Sequence, residues 1–411
     1  MKIVRATTNY TQYLNQFYAQ HPHIKSAGYS EHLQALMNDC FGWTDFWGQA
    51  LKVHGYNVKE IIANAKYLQL LWAKENHVSI DTIKWLEEIA LKQIQSISPA
   101  VLFIDDHSTF TLEFINYVRE QCPSIKLVLG WCGSPIHDHS VFHGYDIVLS
   151  NIPELVKEFK KKGHKSYHVN HAFAPKILEK INHPTIKKND FSFIGSIVKT
   201  SNYHIQREIL LEKLIRETNL EIWSDVSSSS LLNRRLLPIK QFTYDFFQPW
   251  KNNSSLYKIL LDLPKLKNFL KLSTRPSLND FISPSIVSRT HPAVYGISMY
   301  QQLANSKITF NNHINISSQS ASNMRLFEAT GVGTCLVTDW KSNLTELFEP
   351  DFEIVTYRNV DECIEKVKWL LENNEVCQGI AKAGQQRTLK DHTFAQRAIQ
   401  LDKIIRQALS N

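Results

Sequence analysis

Short apolar runs alternate along this chain with longer stretches whose apolar residues recur every three or four positions. The runs Ala100 to Asp105, Lys126 to Trp131, Asp146 to Ser150 and Ser166 to Asn170 read as strands, and the periodic stretches Thr111 to Gln121 and Pro153 to Lys162 read as helices between them. Strands that are apolar on both faces and joined by helices predict a parallel, doubly wound sheet. Lys2 to Ala6 supplies a strand ahead of this unit, followed by helices over Ile61 to Lys74 and Ile80 to Ile97, the second stopped by Pro99. Asn151 and Pro153 read as cap and first-turn residues of the next helix.

The same alternation restarts after Glu179 to Asp190, a polar and basic stretch that reads as a linker. Strand Phe191 to Ile194, helix Ile205 to Thr218 and strand Leu220 to Trp223 open the second unit. It resumes with helix Ser298 to Asn305, strands Lys307 to Phe310, Thr334 to Thr338 and Glu353 to Thr356, and helices Asp361 to Glu372, Glu375 to Leu389 and Phe394 to Leu409. A chain of 411 residues exceeds the size at which one core stops growing, which agrees with two domains. The expected division is 1–180 and 181–393, the second carrying an insert over 224–290, with 394–411 as a final helix.

Ligands of open wound sheets sit outside the carboxyl ends of the strands, so the loops there hold the candidate chemistry. In the stretch NMRLFEATGVGTCLVTD, Asn323 reads as a helix cap, and the helix start with Arg325 can receive a diphosphate. Glu328 can accept from ribose hydroxyls, and Gly331 and Gly333 allow close backbone approach. An amphipathic helix decorated by Arg325 and Glu328 fits the same residues. Gly195, Ser196 and Lys199 follow a strand and can hold a phosphate, or form an ordinary turn. Lys307, Asn311 and His313 flank another strand without needing to converge. Asp105, Asp106 and His107 end the strand VLFID, where one of them can act as a general base toward an acceptor hydroxyl, or cap the segment that follows. Trp131 to Pro135 ends a further strand and can line the cleft. His137, His139 and His143 lack partners at a recognised metal-ligand spacing and read as loop histidines.

Glu328, Ala329 and Gly333 match the E-A-x-x-x-G segment of the second domain of GT-B glycosyltransferases. The runs Lys307 to His313, Arg325-Leu-Phe-Glu-Ala, Glu346-Leu-Phe and Glu353 to Tyr357 resemble the CgeB-like (spore maturation) group, as does the ending Ile380 to Gly384 with Arg387, His392-Thr393 and Arg397. The resemblance is strong over about residues 291 to 400 and weaker over 99 to 200. It implies an α/β GT-B fold of two Rossmann-like domains facing a central cleft, with the last helix crossing back to the first domain. It further implies sugar transfer from a nucleotide-sugar donor to a glycan or lipid-linked acceptor, in a setting such as O-antigen or capsule assembly. Donor contacts are expected from Gly195, Ser196, Lys199, Lys307, Asn323, Arg325, Glu328, Gly331 and Gly333. One departure stands out: retaining members carry a glutamate eight positions before the ribose glutamate, where this chain has Ser320. A nucleotide-sugar epimerase of the same fold, or a catalytically silent nucleotide-sugar-binding subunit, fits the same residues.

Charge and cysteine usage refine this picture. The net charge of +7 is matched by one segment, Leu231 to Arg275, with nine cations against Asp245 and Asp262 and seven interleaved aromatics. Such a segment suits an acceptor lid, a solvated helical excursion or an anionic membrane surface. No RNA- or DNA-binding module accompanies it, so nucleic acid is not an expected partner. Six cysteines occur without a CxxC pair, which suggests a reducing compartment. No signal-peptide core or membrane span is evident, so a cytoplasmic protein is expected, either free or peripheral on the inner face of the membrane. No DxD motif sits in a suitable loop, so metal-independent transfer without a cofactor is expected, cations and helix dipoles meeting the leaving diphosphate.

Overall fold

A computed structural model describes residues 1–79, 83–136, 138–197, 205–226, 235–247, 275, 281–313 and 319–410. Strands β1 (Lys2–Thr7), β2 (Asn57–Ile62), β3 (Val101–Ile104), β4 (Leu127–Trp131), β5 (Ile147–Ser150) and β6 (Ser166–His168) form one parallel sheet in the order β2-β1-β3-β4-β5-β6. Strands β7 (Asn189–Ile194), β8 (Leu220–Trp223), β9 (Thr290–His291), β10 (Ser306–Asn311), β11 (Cys335–Asp339) and β12 (Val355–Tyr357) form a second, in the order β12-β11-β10-β7-β8-β9. Helices cover both faces, so β3, β4 and β5 are buried along their whole length.

Strand order reverses between β1 and β3 in the first sheet and between β7 and β10 in the second. Adjacent helices diverge to opposite faces at such a switch point and leave a crevice beyond the strand ends. The two crevices face one another.

Several local expectations are corrected. The Ile61 to Lys74 stretch divides into the end of β2 and a helix Lys66–Glu75, because Ile61 and Ile62 fill a sheet position. Of the expected Ile80 to Ile97 helix, residues 80–82 lie outside the described residues, and the described helix is Trp85–Ile97. Asn151 is not a cap: the Ser150 hydroxyl accepts from the Ile152 N–H, and the Asn151 amide donates to the Ser322 carbonyl of the other lobe at 2.6 Å.

The lobes share an apolar body. It runs from Phe103 and Trp131 through Phe173 to Leu326 and Phe327, and takes in Phe394, Leu401 and Ile405 of the final helix, Phe394–Ser410. That helix packs on the first lobe, with Phe394 against Phe46 and Trp47, and Tyr56 donating to Asp402 at 2.7 Å. His392 Nε2 donates to the Leu347 carbonyl at 2.8 Å, which leaves Nδ1 to accept from Arg397 at 3.0 Å. Burial pushes His392 down to about 4, so it stays neutral as this arrangement requires. Arg397 also donates to the carbonyls of Asn170 and His171, fixing the segment that carries His171. Phe173 crosses beside Gly331, where any side chain would overlap its ring.

Candidate functional site

A cleft of about 740 Å³ opens between the two switch points. One wall comes from the loops after β1 and β3, the segment from Leu36 to Thr44, Trp131 and His171. The other comes from Ile194 to Ser196 after β7, Trp223 to Asp225 after β8, Arg207, the segment from Ala293 to Met299, and Asn311, Asn323, Met324, Arg325 and Glu328.

The second-lobe wall is organised by the helix Arg325–Gly331. Glu328 is buried and pairs with Arg325 at 2.9 Å. Burial raises its carboxyl above the usual carboxylate range, while Arg325 and a hydrogen bond from Tyr300 oppose that rise. Arg325 also donates to the Ile194 carbonyl at 3.1 Å, which ties the helix to the loop after β7. Arg207, on the helix Ile205–Glu217, donates to the carbonyls of Ser196 at 2.9 Å and Asn312 at 2.6 Å. Burial lowers its guanidinium to about 10, still protonated at neutral pH. No sequence signal marks this arginine, which follows its strand by many residues and looks like one cation of a surface helix.

The expected donor residues therefore separate. Gly195, Ser196, Asn323, Arg325 and Glu328 line the cleft. Asn323 is not a helix cap: Met324 occupies that position without a side-chain bond, and the Asn323 amide donates to Asn311 Oδ1 at 2.7 Å. Lys307 lies at the amino end of β10, about 13 Å along the strand from Asn311, and pairs with Asp190 at 2.7 Å. Gly331 and Gly333 also lie outside the cleft. Their close approach is to Phe173 and to Gln385, whose amide donates to the Gly331 carbonyl at 3.0 Å. Lys199 lies outside the described residues. His313 is buried behind the wall, bonded through Nδ1 to Asp339 at 2.8 Å. The Ser320 hydroxyl donates to Glu154 of the first lobe at 2.7 Å.

The first-lobe wall is built differently. Arg5 is buried under the cleft floor, paired with Glu60 at 2.7 Å and with Asp105, and it also donates to the Thr44 carbonyl. Two carboxylates on one guanidinium leave an excess of negative charge, and burial raises Asp105 and brings Glu60 to about 7. Burial would likewise raise Asp106, but bonds from Ser108, Thr109 and Thr8 bring it below the usual range. Asp106 thus forms a local turn and is a weak base. His107 packs on Phe142 and does not line the cleft. Above the ion cluster stand aromatics: Trp43 against Trp131 at 4.6 Å and against His171 at 5.6 Å between ring centroids. Tyr10, largely exposed, lines the cleft on the same wall.

Among the loop histidines, His139 lies 3.3 Å from Glu158 and His143 packs on His164; His137 is outside the described residues. No group of three or more His, Cys, Asp or Glu among the described residues is placed to hold a metal. All six cysteines are buried and free. No helix among the described residues is long and apolar enough to cross a membrane. Most of the 224–290 insert lies outside the described residues.

Comparison with known proteins agrees with this geometry. A family model described as glycosyl transferase-like matches residues 262–403. Sucrose-phosphate synthase (tll1590) of Thermosynechococcus elongatus superposes with a TM-score of 0.54 at 10% identity, covering 100% of this chain and 99% of its own. A glycosyltransferase from Rickettsia africae does so with the same score, identity and coverage. The fold is GT-B. Anabaena Alr3699/HepE, solved with UDP and glucose, gives a TM-score of 0.53 at 11% identity, with 99% of this chain and 100% of that one covered. The chain matches no curated protein. It is thus a GT-B-fold, glycosyltransferase-like protein whose two lobes meet at the cleft described above.

Proposed function

We propose that this chain transfers a sugar from a nucleotide-sugar to a hydroxyl of a glycan or lipid-linked acceptor. The carrying observation is the convergence of Arg207, Arg325 and Glu328 on one wall, around the backbone of Ile194 to Ser196. Two guanidiniums meet a diphosphate, and a buried carboxylate accepts from ribose hydroxyls. The resemblance to CgeB-like proteins and the Anabaena protein with UDP and glucose support this donor class.

In the transfer, the bond between the anomeric carbon and the diphosphate oxygen breaks, and its electron pair leaves with the nucleoside diphosphate. The acceptor oxygen forms the new bond to that carbon and gives up its proton. Arg207 and Arg325 meet the charge that grows on the leaving oxygens. If the configuration inverts, Asp105 is the best placed of the three expected bases: it lines the cleft, and burial raises it. If the configuration is retained, the leaving phosphate can take the proton. Closure of the lobes excludes water from the reacting atoms. A role in bacterial surface polysaccharide assembly, on the cytoplasmic face of the membrane, fits the resemblance and the basic aromatic insert.

Incubation with a nucleotide-sugar panel, with and without glycan acceptors, tests this reading. Acceptor-dependent release of nucleoside diphosphate together with a glycosylated product is the expected result. Conversion of the donor alone identifies an epimerase, and selective binding without turnover a silent subunit; either overturns the transfer reading.

A further inference from the structure

We infer that the first-lobe wall of the cleft is a subsite for an uncharged pyranose ring, so that the acceptor presents a neutral sugar, and no phosphate, to the reaction centre. The inference rests on the reading of the cleft as a transfer site and assigns its acceptor half.

The charge of this wall is unfavourable to an anion. Among the described residues lining this wall, Arg5 is the cation, and its donors are committed to Glu60, Asp105 and the Thr44 carbonyl. Asp105 and Asp106 line the same wall. A phosphate placed here would meet two carboxylates in a partly dehydrated cleft, with the nearest guanidinium already neutralised. The opposite wall has two guanidiniums, Arg207 on the backbone carbonyls of Ser196 and Asn312 and Arg325 beside Glu328, and is the more favourable of the two for phosphate.

The wall's shape and polarity suit a sugar ring. A pyranose has apolar C–H faces and a rim of hydroxyls. Half-buried Trp43, with Trp131 edge-on at 4.6 Å, offers an aromatic surface of the kind that packs such faces. His171 lines the cleft beside both indoles, at 5.6 Å and 5.5 Å between centroids. Its Nδ1 is buried and meets no partner among the described residues. Burial and the nearby Arg397 push its imidazole down to about 3, so it is a neutral hydrogen-bonding group at every physiological pH. Buried polar atoms ordinarily have a partner, and in this proposal a ligand hydroxyl supplies the one that His171 Nδ1 lacks. His171 is thereby a positioning residue, held in place through its carbonyl by Arg397.

Saturation-transfer NMR on the full chain tests this, with methyl glycosides of neutral hexopyranoses, their 6-phosphates and farnesyl phosphate as probes. Neutral glycosides should bind at least tenfold more tightly than their 6-phosphates. Trp43→Ala should weaken them at least tenfold, Trp43→Phe less than threefold, and neither should move nucleoside diphosphate affinity more than twofold. Thermal melts establish that each variant is folded; should Trp43→Ala fail to fold, the wild-type preference and His171→Asn, expected to lose about fivefold, decide. Tighter binding of the 6-phosphates, displacement of glycosides by farnesyl phosphate alone, or a folded Trp43→Ala with unchanged affinity overturns the inference. Loss of nucleotide binding with glycoside binding intact would instead count against the donor reading.

Discussion

Both walls of the cleft stand at the switch point of a wound parallel sheet, but the first encloses Arg5 in an ion cluster while the second leaves Arg207 and Arg325 lining the opening. The difference lies in what the strands bring together. In the first sheet, Arg5 of β1 sits between Glu60 of β2 and the end of β3, so its charge is spent within the lobe. In the second, the ends of β7 and β10 offer backbone carbonyls, and the guanidiniums that bind them come from helices. One lobe holds its guanidinium between two carboxylates of its own strands, and the other brings two guanidiniums to the cleft, Arg207 on backbone carbonyls and Arg325 beside Glu328.

The largest expected effect breaks the enclosed cluster. Arg5→Met strands two buried carboxylates and should cost about 3–5 kcal/mol of stability in denaturant titration. Adding Asp105→Asn and Glu60→Gln should restore most of it. Arg325→Gln should lower transfer at least 100-fold, corresponding to about 2.7 kcal/mol or more, with a stability loss smaller than that of Arg5→Met because Arg325 is less buried.

A third change tests the seam between the lobes. Gly296 has φ +53°, and a Cβ there would sit 2.4 Å from the Asp39 carbonyl and carboxylate of the first lobe. Gly296→Ala should cost about 1–3 kcal/mol and expand the molecule in solution scattering. Asp39 itself is raised to about 6 by burial, against an ordinary value of 3.8. The folded protein therefore binds more protons than the unfolded chain between those values, and stability falls as pH rises through that window. Asp39→Asn should flatten this segment of the melting curve by about 1 kcal/mol. Lys307→Ala should be the mildest change, within about 0.5 kcal/mol of wild type because its ion pair is partly exposed, and donor affinity should move less than twofold.

The contrast between Lys307 and Arg207 shows where sequence reasoning stops. Runs such as VLFI and IVLS are legible because a parallel strand is buried on both faces and each residue carries that signal locally. Glu328 and Arg325 are legible because they are a turn apart on one helix, and Gly195 and Ser196 because they end a strand. Arg207 joins them only after the helix following β7 folds back over its own strand end, a relation set by tertiary packing. Lys307 errs in the other direction: it is near Asn311 in sequence, but a strand puts four residues of rise between them. Asn151 and Asn323 read as caps because their types suit a helix start, yet each has a partner across the cleft or on β10 that wins its amide. The ion cluster and the aromatic wall draw on residues from six separate stretches, around Arg5, Trp43, Glu60, Asp105, Trp131 and His171, and no local pattern announces them.

Calorimetric titration of wild type and Glu328→Ala with a panel of nucleoside diphosphates and nucleotide-sugars tests the central claim most directly. Selective binding by the wild type, weakened at least tenfold in a folded Glu328→Ala protein, is the predicted result; unchanged affinity in that variant would contradict the donor site.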